Sequence, residues 1–140
     1  MRRPSKSLLV FALGLALVAC GETEGTTGPL DGRLQAAQEQ LDGGQFAEAR
    51  SAFEAALESD PSSIDARLGL AESARRLGDD ATAQRAFEEV LGLGADTERL
   101  TGALAGLAEI RRAAGDESGA RDLEAEADSL RAGPQGSTVR

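Results

Sequence analysis

The sequence of 140 residues contains no histidine, tryptophan or tyrosine, and it has one cysteine. Histidine is the side chain that most often performs acid–base catalysis near neutral pH, and with cysteine it is a principal zinc ligand. These absences argue against an enzyme, and we expect neither a metal site nor a cofactor. The lone cysteine also has no partner within the chain for a disulfide bond.

Positive charge is scarce as well. The chain has 15 Lys plus Arg against 24 Asp plus Glu, a net charge of −9, and its lysine is Lys6. Nucleic acids and anionic lipid headgroups are bound by clustered positive charge. The composition therefore argues against nucleic acid as a partner, and the length leaves room for one hydrophobic core.

The amino-terminal segment has the layout of an export signal. Arg2, Arg3 and Lys6 precede an apolar run from Leu8 to Ala19. A helix of that length rises about 18 Å, well short of a hydrocarbon core about 30 Å thick, so a permanent membrane span is not expected. We predict a signal peptide over residues 1–19.

The run ends in Leu17-Val18-Ala19-Cys20, which resembles the lipobox of bacterial lipoproteins. The resemblance implies cleavage before Cys20 and attachment of acyl chains such as palmitate to that cysteine, so that the protein is lipid-anchored in the cell envelope. Gly21 stands where aspartate signals inner-membrane retention in this family, which favours the outer membrane, facing the periplasm. The alternative is an ordinary secretory signal with a chance cysteine nearby.

Two short polar segments flank the remainder of the chain. Gly21 to Gly28 has no apolar side chain, and Gly133 to Arg140 is a second polar stretch. We predict that residues 20–29 form the lipidated amino terminus and a flexible tether, and that residues 132–140 form a disordered tail.

Between these segments the sequence repeats. A shift of 34 residues superposes glycine, alanine, phenylalanine and leucine positions: Gly44 on Gly78, Ala49 on Ala83, Ala52 on Ala86, Phe53 on Phe87 and Leu57 on Leu91. A third copy follows after three extra residues, with Gly115 and Ala120 at the matching positions. A period of this length is typical of stacked repeat architectures.

Each unit is predicted to form two amphipathic helices that meet near its glycine. Leu34, Ala37 and Leu41 recur at helical spacing in the first unit, and Leu70, Ala74 and Leu77 do so in the second. Pro61 followed by Ser62 or Ser63 supplies a helix stop and an amino-terminal cap. Gly44, Gly78 and Gly115 fall near helix ends, where a left-handed residue favours glycine.

The repeats resemble the tetratricopeptide repeat family, whose A-x3-F motif is matched by Ala49 to Phe53 and Ala83 to Phe87, and whose proline is matched by Pro61. The family's small glycine is replaced by Ala37, Ala71 and Ala108, and its leading aromatic by Arg33, Arg67 and Leu104. The resemblance implies an all-α domain over 30–131, a right-handed superhelical array of three helical hairpins with repeats at 30–63, 64–97 and 101–131.

The third unit has Glu124 in place of the phenylalanine. Leu123, Ala127 and Leu130 lie along one side of its second helix, while Glu124, Glu126 and Asp128 lie elsewhere. Terminal repeats of such arrays need a polar outer face for solubility. We interpret this last helix as a solvating cap.

The resemblance also implies that the first helices line a concave groove that holds a peptide or a helix of a partner. Matched positions form three columns: Leu34, Leu68 and Ala105; Gln38, Glu72 and Glu109; and Leu41, Arg75 and Arg112. The groove candidates combine arginines that could hold partner carboxylates with polar side chains that could accept from partner donors: Gln35, Gln38, Glu72, Arg75, Arg76, Glu109 and Arg112.

A simpler interpretation of the same residues is internal pairing. Glu72 with Arg75 or Arg76, and Glu109 with Arg112, have the spacing of ion pairs along a single helix. Such pairs stabilise a helix by about 0.2 to 0.5 kcal/mol each and require no partner.

The function predicted from these features is a membrane-anchored adaptor or scaffold for protein–protein interaction in the bacterial envelope. Its expected partners are another envelope protein and the membrane, reached through Cys20. One alternative is a pilotin-like assembly factor for an outer-membrane machine, and a second is a solute-binding lipoprotein. An array without Trp or Tyr offers few aromatic walls for a solute pocket.

Overall fold

The computed structural model describes residues 28–133, and all of its regular structure is helical. The signal peptide, Cys20 and nearly all of the predicted tether and tail lie outside the described residues. The six helices are α1 (Pro29–Asp42), α2 (Phe46–Ser59), α3 (Ile64–Arg76), α4 (Asp80–Gly92), α5 (Thr97–Ala113) and α6 (Glu117–Ala132).

Successive helices pair into three hairpins, and the turn inside each hairpin has the same construction. Gly44, Gly78 and Gly115 have φ of +78°, +79° and +82°, a conformation that side-chain-bearing residues rarely adopt. The following residue donates its N–H to a carbonyl five residues earlier, as Asp79 does to Ala74 at 2.9 Å. This is the geometry of a glycine-terminated helix end, and the predicted role of the three glycines is confirmed.

Side chains mark where the helices begin. Ser63 accepts a hydrogen bond from the backbone of Ala66 at the start of α3, which selects Ser63 over Ser62 as the cap. Asp79, Asp96 and Asp116 cap α4, α5 and α6 in the same way. Because Asp96 supplies such a cap, α5 begins at Thr97 rather than at residue 101.

Small residues let the two helices of each hairpin approach closely. Ala37, Ala71 and Ala108 on the first helices, and Ala49, Ala83 and Ala120 on the second helices, are all at most 1% exposed. Leu77 is an exception to the predicted apolar stripe, since it is 46% exposed at the end of α3. It follows the last helical residue, where the chain already turns toward Gly78.

The contacts between hairpins make the array curved. Helix α1 contacts α3, and α3 contacts α5, whereas within residues 28–133 the Cα atoms of α2 and α4, or of α4 and α6, do not come within 8 Å of each other. The first helices therefore lie closer together than the second helices, on the inside of the curve. The structure is an all-α array of tetratricopeptide-like hairpins, as predicted.

Candidate functional site

A cavity of about 640 Å³ lies on the inner side of the array, between α1, α3 and α5. We call it the concave groove. Its lining consists of apolar, small and polar residues from these three helices together with one aromatic side chain from each of α2 and α4: Leu34, Gln35, Gln38, Leu41, Phe53, Asp65, Leu68, Gly69, Glu72, Arg75, Phe87, Gly102, Ala105, Gly106 and Glu109.

The columns predicted from the sequence can be compared with this lining. The columns Leu34, Leu68, Ala105 and Gln38, Glu72, Glu109 lie entirely in it. The third column contributes Leu41 and Arg75, and Arg112 lies elsewhere. Of the seven candidate residues, the groove thus brings together Gln35, Gln38, Glu72, Arg75 and Glu109, while Arg76 and Arg112 are outside its lining.

The floor of the groove is formed by two phenylalanines, each against a glycine of the next hairpin. Phe53 is 2% exposed, and a Cβ built on Gly69 would lie 2.2 Å from its ring. Phe87 is 3% exposed, and a Cβ on Gly106 would lie 2.3 Å from its ring. Sequence reasoning missed both glycines, although a glycine inside a helix is unfavourable and so points to a close contact.

Arg75 lies between two carboxylates. It donates two hydrogen bonds to Glu72 on its own helix, at 2.9 and 2.7 Å, and its Nη1 lies 2.6 Å from Glu109 Oε2 on α5. The hydrogen bonds that Arg75 donates to Glu72, with the negative charges of both glutamates, raise the pKa of Arg75 despite its partial burial. The pair links α3 to α5 across the groove, so Glu109 pairs with Arg75 and not with Arg112.

Arg76 and Arg112 lie outside the lining of the groove. Arg76 donates to Glu72 at 3.0 Å, and its guanidinium lies 5.2 Å from the centre of the Phe46 ring on α2. Arg112 donates to Glu124 on α6 at 2.6 Å, which raises its pKa, and lies 3.8 Å from Glu117. The predicted pairing of Glu72 with Arg75 or Arg76 is confirmed and involves both of these arginines, whereas the predicted pair between Glu109 and Arg112 is wrong.

The α1 side of the groove carries two glutamines beside Leu34 and Leu41. Gln35 donates to Glu39 at 3.3 Å, and Gln38 donates to Asp42 at 2.9 Å. Among residues 28–133 neither carboxylate lies within 4.0 Å of an arginine nitrogen. Their negative charges are therefore not neutralised by the described part of the chain.

A second ion pair between hairpins borders the groove and was not predicted. Arg99 on α5 donates to both carboxylate oxygens of Asp65 on α3, at 2.7 and 3.0 Å, and also contacts Asp96. Hydrogen bonds to these two aspartates raise the pKa of Arg99. The two residues belong to different units, so the spacing along one helix gave no signal for their contact.

No helix in residues 28–133 has the length and apolarity needed to cross a bilayer. Within the same range, acidic, histidine and cysteine side chains form no group of three or more that could hold a metal ion. The concave groove carries both apolar and charged groups.

Comparison with known proteins agrees with this geometry. Residues 34–97 match the family model described as Tetratricopeptide repeat, a match that runs from the middle of α1 to the start of α5. No curated protein sequence matches the chain. The first two hairpins therefore match tetratricopeptide repeats in sequence, and the third has the same hairpin construction. Repeats of this family are typically non-catalytic modules for protein–protein interaction.

Proposed function

We propose that this chain is a lipid-anchored adaptor of the bacterial cell envelope that holds a partner protein in its concave groove. The observation that carries the proposal is the groove itself. It is an open cavity of about 640 Å³, with Leu34, Leu68 and Ala105 in one column and polar side chains beside them. Apolar surface with adjacent polar groups is typical of surfaces that bind peptides and helices.

A covalent crosslinker at Ala105 tests the groove. Ala105 is exposed and lies in the lining, so a photoreactive side chain there should form a defined adduct with the partner in envelope membranes. The matched control is the same side chain at Ala125, which is exposed on α6 and outside the lining. Adducts at residue 125 but not at residue 105 would contradict the proposed site.

Replacing either of two exposed alanines by glutamine tests the groove in a binding assay. Ala105→Gln places a larger polar side chain in the groove and should reduce capture of the crosslinked partner, whereas Ala125→Gln should not. Both positions are exposed helical alanines, so both variants should keep the helical circular dichroism of the parent. Equal capture by the two variants would move the site away from the groove.

Membrane attachment through Cys20 rests on the lipobox-like Leu17-Val18-Ala19-Cys20. Protein extracted from membranes should begin at Cys20 and carry the mass of acyl chains. Several acyl chains would also keep the protein on the bilayer, because they hold it far more firmly than one chain does. Cys20→Ser should remove both the acyl mass and the processing. An unmodified Cys20 in membrane-extracted protein would exclude the anchor without affecting the groove.

Placement in the outer membrane rests on Gly21. In a two-membrane host the parent should fractionate with the outer membrane, and Gly21→Asp should shift it toward the inner membrane. Fractionation of the parent with the inner membrane would contradict this placement.

A further inference from the structure

We infer that the partner segment in the concave groove is cationic and bears leucine-like side chains, rather than being acidic. This inference rests on the proposed function, because it assigns a chemistry to the occupant of the same groove. It reverses the role that the sequence suggests for the arginines. Those residues were expected to hold carboxylates of the partner, and the structure shows them already engaged.

The arginines beside the groove are engaged with carboxylates of the chain itself. Arg75 contacts Glu72 and Glu109, and Arg76 donates to the same Glu72. Arg99 is held by both oxygens of Asp65. An acidic partner would have to separate these pairs before it could bind, and the gain from the new contact would be offset by the loss of the old one.

Carboxylates beside and within the groove remain open to a cationic partner. In the described chain Glu39 and Asp42 lie beside the lining, accept hydrogen bonds from Gln35 and Gln38 within it, and have no arginine nitrogen within 4.0 Å. Glu109 contacts Arg75 through Oε2, and its side chain is 52% exposed. The lining has three carboxylates, Asp65, Glu72 and Glu109, and one arginine, Arg75, in a chain of net charge −9, and this excess of negative charge favours a cationic partner over an acidic one.

The α5 side of the groove has room for an apolar side chain. The column that begins with Leu34 and Leu68 ends with the smaller Ala105, and a Cβ built on the adjacent Gly102 would meet no atom within 4 Å. Leu68 lies on the opposite side of this space, on α3. Glu109 is one helical turn, about 5.4 Å, beyond Ala105 on the same face. A partner segment with a leucine in this apolar space, followed by a lysine or arginine near Glu109, matches this arrangement.

Two synthetic peptides test the inference by fluorescence anisotropy with the full chain. Both carry the same leucine spacing and the same label, and they differ in having lysine or glutamate at the remaining charged positions. The lysine peptide should bind about tenfold more tightly, the effect of roughly two exposed ion pairs. This difference should shrink as salt is raised, because exposed charges are screened.

Two variants connect the binding to the groove. Glu109→Gln should weaken the lysine peptide about fivefold and leave the glutamate peptide unchanged or improved, since it removes one exposed ion pair and one of the two carboxylates that contact Arg75. The matched control Glu126→Gln removes the same charge from an exposed position of α6 outside the lining and should have no effect on either peptide. Gly102→Leu should weaken both peptides equally, because it fills the apolar space.

Three results would count against the inference, and they are distinguishable from failure of the proposed function. Equal or tighter binding of the glutamate peptide overturns the cationic partner while leaving the groove as the binding site. Adducts at residue 105 with binding of neither peptide also overturn the partner chemistry alone. If no adduct forms at residue 105 and neither peptide binds, both the inference and the proposed function fail.

Discussion

Helices α4 and α6 occupy the same place in successive hairpins and differ at one position that matters. Each begins at an aspartate cap, Asp79 or Asp116, and each buries an alanine completely at the same step. One turn later α4 has Phe87, which is 3% exposed, and α6 has Glu124, which is exposed and bonded to Arg112.

The difference reflects what lies beyond each helix. Helix α4 is followed by α5, whose Gly106 lies directly against the Phe87 ring. In the described part of the chain no helix follows α6, and Glu124 meets solvent and an arginine of its own hairpin. An aromatic residue at this position therefore indicates a contact between hairpins, while the pairing of helices within a hairpin is served by alanines. The interpretation of α6 as a polar cap agrees with this exposure.

Removing the aromatic ring should have the largest effect. Phe87→Ala should lower the free energy of unfolding by about 3 to 5 kcal/mol, because it leaves a cavity at the junction of two hairpins. Urea denaturation followed by circular dichroism measures this loss. Glu124→Ala at the matching position of α6 is the control and should change stability little. Similar losses in the two variants would contradict the comparison.

A methyl group added at Gly106 tests the contact between α4 and α5 from the α5 side. Gly106→Ala should destabilise by about 1 to 3 kcal/mol, because the new Cβ overlaps the Phe87 ring. Gly102→Ala, on the same helix, should instead stabilise by about 0.5 to 1 kcal/mol, because its Cβ meets nothing within 4 Å and alanine favours a helix. Opposite signs in thermal or urea denaturation are the expected result, and equal signs would exclude the ring contact.

The aspartate caps that begin both α4 and α6 should make the stability of the fold sensitive to acid. Hydrogen bonds from Thr82, with Arg50 nearby, lower the pKa of Asp79, and the backbone N–H of Gly119 with the Ser118 hydroxyl lowers that of Asp116. A carboxyl whose folded pKa is lowered stabilises the fold above its unfolded pKa of about 3.9, and this contribution disappears as the pH falls through the folded value.

Asparagine at both caps tests the origin of this acid sensitivity. The double variant Asp79→Asn with Asp116→Asn keeps an oxygen acceptor at each cap, but these side chains do not titrate. Its free energy of unfolding should therefore fall less than that of the parent between about pH 5 and about pH 2. Asp122→Asn on the exposed side of α6 is the control and should follow the parent. Parallel pH profiles for all three proteins would remove the caps as the cause.

The smallest effect is expected from Glu124→Gln. Its bond to Arg112 joins two side chains that are 49% and 44% exposed, and exposed pairs contribute little to stability. The melting temperature should stay close to that of the parent. A large decrease would mean that the ion pair, and not solvation alone, selects glutamate at this position.

Much of the fold could be predicted from the sequence because it depends on local and periodic features. The 34-residue shift placed Phe53 on Phe87, and the turn glycines required a conformation that only glycine adopts easily. The exposure of Leu77 could not be obtained from helical spacing, because the helix ends at the preceding residue and the periodic pattern does not say so.

The repeat predicted which columns of residues line the groove, but it did not predict the ion pairs between α3 and α5. The columns follow from the repeat, so residues such as Glu72 and Glu109 could be placed on one surface. The bonds from Arg75 to Glu109 and from Arg99 to Asp65 depend on the distance between α3 and α5. That distance follows from how the second and third hairpins pack, where Gly106 of α5 lies against the Phe87 ring of α4, and such a contact has no signature along a single helix.

Phe53 and Phe87 each belong to one hairpin, and the glycine against each ring, Gly69 or Gly106, belongs to the next. During synthesis on the ribosome Phe53 therefore lacks its contact with the second hairpin until Gly69 has left the exit tunnel. The smallest piece of this chain with a complete aromatic contact is two hairpins, and a truncation after α2 should yield a polypeptide with an exposed ring and a strong tendency to associate.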